Sequence, residues 1–148
     1  MRMIGLLCLC LLSLTAACSA QKQSGVPAAN GLGPKDLVGE WTGESKCTGN
    51  NPSCHDETVR YRFTEIKNSA TKVHLAADKQ VNGAWDLMGE FDFDIDPARN
   101  TLTAEFTIPR TCGRGVWLFN VAGDKIDGTL TVRPENEIGR RVHVERKK

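Results

Sequence analysis

The stretch Val81-Asn82-Gly83-Ala84-Trp85-Asp86-Leu87-Met88-Gly89-Glu90-Phe91-Asp92-Phe93-Asp94-Ile95-Asp96 decides the fold class. Asn-Gly is a strong two-residue hairpin signal, because a type I′ turn needs positive φ at both central residues. After it, Trp85, Leu87, Gly89, Phe91, Phe93 and Ile95 share one parity, while Asp86, Met88, Glu90, Asp92 and Asp94 share the other. A period of two puts the first set on one face of a strand and the second on the opposite face.

The same period runs outward in both directions. Val59, Tyr61 and Phe63 alternate with Arg60 and Arg62; Val73, Leu75 and Ala77 alternate with Lys72 and His74. Beyond the turn Asp96–Asn100 come Leu102, Ala104, Phe106 and Ile108, then Trp117, Phe119 and Val121, then Ile126, Gly128, Leu130 and Val132, and finally Val142 and Val144. With the opening stretch Leu37–Cys47, these make eight short strands. The expectation is an all-β fold, a small eight-stranded up-and-down antiparallel barrel, because closure removes exposed sheet edges. A two-sheet sandwich is the alternative. On these phases all the aromatics, Trp41 and Trp85 included, fall on the inward parity. The sixth strand is apolar on both faces, since Val116 and Leu118 oppose Trp117 and Phe119. A cover is expected there: the tether, a partner or a membrane.

The chain begins with Arg2 and an apolar run from Ile4 to Leu14, too short for the ~20 residues of a membrane-crossing helix. The expectation is a signal peptide over 1–17. Thr15-Ala16-Ala17-Cys18 resembles a lipoprotein box, which implies cleavage before Cys18 and a lipid anchor on it. An ordinary signal peptide cut after Ala17 or Ala20 is the alternative. Residues 18–35 are rich in Gly, Pro, Ala, Ser and Gln and read as the lipidated N-terminus and a flexible tether. Residues 36–148 remain as one barrel domain. By resemblance to enterobacterial lipoproteins, Ser19 after Cys18 implies the periplasmic face of the outer membrane; a periplasmic or secreted protein is the other outcome.

Removing Arg2 with the leader brings the 19 basic side chains level with the 18 acidic ones. No large single-sign field draws the domain to nucleic acid. Cys8 and Cys10 leave with the leader, and acylation takes Cys18, so Cys47, Cys54 and Cys112 remain. An oxidising envelope favours disulfides. Cys47 and Cys54 bracket a turn-rich segment and form the expected pair, although Cys112 would also serve as partner to either.

No constellation names a reaction. Cys47, Cys54, His55 and Cys112 lack metal-knuckle spacing, and disulfide formation would consume the thiols. Asp92, Asp94 and Asp96 lack the glycine and glutamate of a calcium loop. His55-Asp56-Glu57 has no nearby nucleophile, and His74 and His143 point outward. No catalytic residue, metal or cofactor is expected, and the chain reads as a binding protein rather than an enzyme.

Gly39-Glu40-Trp41 on the first strand and Arg140-Arg141 on the last resemble the calycin superfamily, the lipocalins and their relatives. That resemblance implies a tryptophan at the barrel floor covered by an arginine from the final strand. Arg140 has the inward parity and is the candidate cover for Trp41, by a cation–π contact. Gly39-x-Trp41-x-Gly43-x-x-x-Cys47 is also similar to the N-terminal domain of copper-responsive envelope lipoproteins. Their cysteines lie three apart, not seven, so metal sensing is not carried over.

An eight-stranded barrel is either filled by its own side chains or holds one small molecule. Inward rings argue for filling; inward Gly43, Ala77, Gly89, Ala104 and Gly128 argue for room. The first expectation is a small apolar ligand lined by Trp41, Tyr61, Trp85, Phe91, Phe106 and Trp117. The second is a filled barrel that binds another envelope protein through Val116 and Leu118.

Overall fold

The computed structural model describes residues 31–49, 52–108 and 113–148. The expected signal peptide, Cys18, most of the tether, and Cys112 lie outside the described residues. A short helix α1 (Pro34–Leu37) precedes eight strands: β1 (Gly39–Cys47), β2 (Glu57–Glu65), β3 (Lys72–Val81), β4 (Ala84–Asp96), β5 (Thr101–Thr107), β6 (Arg114–Ala122), β7 (Lys125–Arg133) and β8 (Glu137–Arg146). Neighbours in sequence pair antiparallel, and β1 pairs with β8 to close the barrel. The eight-stranded up-and-down barrel is therefore the fold, and the sandwich is not. Asn82 and Gly83 have φ of 50° and 83°, as their hairpin turn requires.

The end of the barrel carrying Gly39 and Arg146 is its floor; the end carrying Cys47 and Arg140 is its mouth. Helix α1 lies at the floor with Leu37 fully buried, and Leu32 packs against the core just before it. Packing thus begins slightly earlier than Asp36, inside the stretch read as tether. Trp41 is fully buried, and its Nε1 donates to the Leu37 carbonyl at 2.9 Å.

The arginine over Trp41 is Arg146, not Arg140. Its guanidinium sits 4.1 Å from the ring centroid, and Nη1 donates to the Val38 carbonyl at 2.9 Å. Arg140 has the inward parity but is the register partner of Cys47, at the mouth. Because β8 runs antiparallel to β1, the residue facing the start of β1 must come from the end of β8.

Trp85 is a second correction. Ala77 pairs with Gly89 but Asp78 pairs with Leu87, so Met88 is an extra residue in β4. This bulge inverts the faces of the strand on its N-terminal side. Gly89, Phe91, Phe93 and Ile95 keep the expected inward parity; Trp85 and Leu87 turn outward. Asp78 anchors the bulge on the outer face, where it is only 2% exposed. It accepts from Arg60 Nε at 2.9 Å and from Arg62 Nε and Nη2 at 3.0 and 3.1 Å. Arg60 also lies 4.7 Å from the centroid of the Trp85 ring.

Rings fill the lower barrel. Phe63 meets Trp41 edge-on at 6.4 Å, and Phe93 stacks on Phe119 at 4.9 Å. Each fully buried phenylalanine contributes roughly 2–3 kcal/mol by leaving water. The inward glycines do not leave space open. A Cβ on Gly128 would stand 2.3 Å from the Phe119 ring, and one on Gly115 would stand 2.3 Å from the Phe106 ring.

The wall has one weak seam. β4 and β5 pair only from Asp94–Asp96 to Thr101–Thr103. Towards the mouth, no β4–β5 pairing continues, and Phe91 and Phe106 meet across the gap with centroids 5.2 Å apart.

Candidate functional site

Above the packed rings the barrel keeps a cavity of about 110 Å³ at its mouth. Its walls come from alternate residues of several strands. Tyr61 and Phe91 face Phe106 and Trp117, with Leu75, Ala77, Phe119 and Leu130 completing the apolar lining and Met88 at the rim. The bulge that turned Trp85 outward is what brings Met88 to that rim.

One side of the cavity is polar. Ser45, Glu57 and Arg140 line it together. Arg140 Nη1 donates to Ser45 Oγ at 3.1 Å and lies 3.0 Å from Glu57 Oε2. Lys79 stands 3.5 Å from the other Glu57 oxygen. Tyr61 is 2% exposed. Burial pushes its phenol well above the ordinary value of 10; Arg140 opposes the rise and Glu57 adds to it. Tyr61 therefore stays protonated and able to donate through neutral pH.

Of the six expected lining residues, Tyr61, Phe91, Phe106 and Trp117 meet at this cavity. Trp41 belongs to the floor and Trp85 to the outer wall. Gly39 opens β1 with φ of 129°, and a Cβ there would come 3.5 Å from Arg146 Nη1. Cys47 and Cys54 form the expected disulfide, with Cα atoms 6.0 Å apart. The bond consumes two thiols of the weighed metal set. Leu118 is 41% exposed and Val116 half-buried, flanked on the outer wall by Thr103 and Thr129, and by Glu105 and Thr131.

The polar residues singled out elsewhere make protein contacts. His74 pairs with Asp92 at 2.8 Å and His143 with Asp127 at 2.7 Å. Lys72 pairs with Asp94, and Asp96 accepts from the amides of Ala98 and Arg99. A wider depression of about 330 Å³ lies on the outer wall, lined by Glu44, Lys46, Asp127 and His143 among others. It is an open, charged surface whose groups largely satisfy one another, so the mouth cavity is the stronger site.

Ser45, Glu57, Met88 and Arg140 are the site residues that the sequence reading missed as a group. Parity held the signal for Arg140, which the sequence reading puts at the floor instead, and for two others: Ser45 shares the phase of Trp41, and Glu57 that of Tyr61. Being polar, they read as strand ends. No protein-family model matches the chain, and comparison with curated proteins finds no match.

Proposed function

We propose that this chain is an envelope lipoprotein, anchored through Cys18, whose barrel binds a small and mainly apolar molecule at its mouth. It acts as a binding protein, not an enzyme. The observation that supports this reading is the cavity of about 110 Å³, walled by aromatic and aliphatic side chains with one polar side. Drug-sized ligands occupy pockets of about 300–1,000 Å³. A cavity of about 150 Å³ takes a benzene ring. At about 110 Å³ the cavity is smaller than that, so it encloses at most part of a single ring, and a long acyl chain would require the packed rings to move.

The test is a titration of the purified protein with single-ring compounds, followed by Trp117 emission and by amide shifts of β2 and β5. Saturable changes confined to the mouth support the reading. No change at millimolar ligand removes it.

A second reading, a filled barrel that binds an envelope protein, is favoured by the exposure of Leu118 beside Val116 on β6. Thr103, Glu105, Thr129 and Thr131 flank the pair on the neighbouring strands, so the apolar area is small. Val116→Asp with Leu118→Asp would abolish partner recovery from envelope extracts if this reading holds, and unaltered recovery would sink it.

A further inference from the structure

We infer that the β4–β5 seam is a side portal to the mouth cavity, with Phe91 and Phe106 as its two leaves, and that it lets a linear alkyl chain pass through the wall. This rests on the binding reading proposed above and says where a ligand larger than the cavity goes.

The register shows where the wall fails to close. Pairing of β4 with β5 stops at Asp94 and Thr103. Carried on in the same register, it would set Asp92 against Glu105 and Phe91 against Phe106. On the outer face two carboxylates would then stand directly opposite, which disfavours pairing. Each is held instead to the strand on its far side: Asp92 by His74 of β3 at 2.8 Å, and Glu105 by Arg114 of β6 at 2.9 Å. The two edges of the slit are thus bound to their own sides of the wall.

The foot of the slit is fixed. Asp96 accepts from the amides of Ala98 and Arg99, and the Asn100 carbonyl accepts from the Val121 amide at 2.9 Å. A Cβ on Gly31 would stand 2.8 Å from the Pro97 carbonyl oxygen, so the lead-in to α1 packs on the same turn. Movement of the edges therefore has a fixed end at the floor and a free end at the mouth.

Two rings span the slit from inside. Phe91 and Phe106 are half-buried, line the cavity and meet with centroids 5.2 Å apart. Phe106 lies over Gly115 and Phe91 over Gly89, where added Cβ atoms would come within 2.3 and 3.2 Å of the rings. With glycine beneath it, neither ring is held there by an underlying side chain. Parting the edges breaks the ring contact but no β4–β5 ladder hydrogen bond among the described residues mouthward of Asp94. On either side the ladders run on to the mouth, β3–β4 as far as Val81 with Ala84 and β5–β6 as far as Thr107 with Arg114. The seam is the side on which the cavity gains room at least cost.

Size makes this testable. Scaled from the ~150 Å³ that holds the six carbons of benzene, about 110 Å³ holds about four carbons. A longer chain either stops gaining affinity at that length or enters the seam, where each further methylene leaves water.

The experiment titrates the full chain with linear alcohols from butanol to octanol and follows amide shifts. Affinity is expected to keep rising beyond butanol, by up to about fourfold per methylene. Octanol is expected to move the amides of Asp92 and Glu105 more than those of Cys47 and Ile138 at the mouth rim. Asp92→Cys with Glu105→Cys, oxidised and confirmed by peptide mapping, locks the seam; Asp92→Ser with Glu105→Ser is its open counterpart. The locked form is expected to match the open one for butanol and to bind octanol about tenfold more weakly or worse.

Affinity that stops rising at butanol overturns the portal while leaving the cavity a binding site. Octanol shifts confined to the rim do the same, as does a locked form that binds octanol as the open one does. Silence towards every alcohol overturns the portal together with the binding reading. The unaltered protein decides all but the locking outcome, so the portal stays falsifiable if the cysteine pair fails to fold.

Discussion

Trp41 and Arg146 face each other across the β1–β8 pair, with the guanidinium 4.1 Å from the indole centroid. The same arginine donates to the backbone carbonyls of Val38 and Asp36 and to the Asp124 carboxylate at 2.9 Å. One side chain therefore joins the closing strand, the helix lead-in and the β6–β7 turn. Arg146→Met keeps the aliphatic stem but removes the ring contact and the donors. The expected loss is about 2–3 kcal/mol in urea unfolding, combining a cation–π contact with hydrogen bonds from a charged group. Arg146→Lys should recover less than half, because an ammonium cannot reach those acceptors in fork geometry.

Asp78 gives a pH signature. Burial alone would raise its carboxyl, but hydrogen bonds from Arg62 and Arg60 outweigh that and hold it below its ordinary value of 3.8. A depressed carboxyl contributes stability above its unfolded value, and that contribution disappears as pH falls through the folded value. Asp78→Asn is expected to cost about 2 kcal/mol at pH 7, less than a fully buried pair because both arginines reach solvent. The gap between wild type and variant should narrow below about pH 4. A gap unchanged at pH 3 would contradict the assignment.

His143 titrates in the opposite sense. Its hydrogen bond with Asp127 raises it above the ordinary 6.5, against a small opposing effect of burial and with help from Glu145. Glu44 stands opposite it on β1. A raised imidazole contributes stability that is fully present below its unfolded value and is lost as pH rises through the folded value. Imidazole proton shifts should give a midpoint above 6.5, and Asp127→Asn should lower it. A midpoint unmoved by that variant would exclude Asp127 as the cause.

Gly128→Ala tests the packing of rings into glycine positions. The added Cβ would lie 2.3 Å from Phe119, which is also stacked on Phe93 and Tyr61. The expected destabilisation is about 1–3 kcal/mol, the usual range for overpacking a filled core. Phe119 also lines the cavity, so any bound ring should be weakened together with stability. Unaltered stability would show that Phe119 has room to move.

The barrel was legible in the sequence because alternation survives along almost every strand, and Asn82-Gly83 fixed one register. The disulfide was legible from a short turn-rich spacer. Trp85 was misplaced because a bulge is a change of phase by one residue, and nothing in Leu87-Met88-Gly89 announces it. Arg140 was misassigned for a geometric reason: parity gives the face of a strand but not the height along the barrel. The cavity was only half visible. Its apolar walls followed from parity, whereas its volume depended on which glycine spaces the rings of Phe119 and Phe106 entered, a three-dimensional matter.

The incomplete β4–β5 seam carries a consequence for self-association. A fully closed barrel offers no free strand edge, but here the mouthward halves of β4 and β5 leave backbone groups unpaired across the gap. Such edges are templates on which a second chain can add strands. Glu90 and Asp92 flank one edge on the outer face and Glu105 flanks the other, all with exposed side chains. Two copies approaching edge to edge would bring like charges together. Exposed carboxylates therefore disfavour pairing at this opening, to an extent limited by their own partners His74 and Arg114.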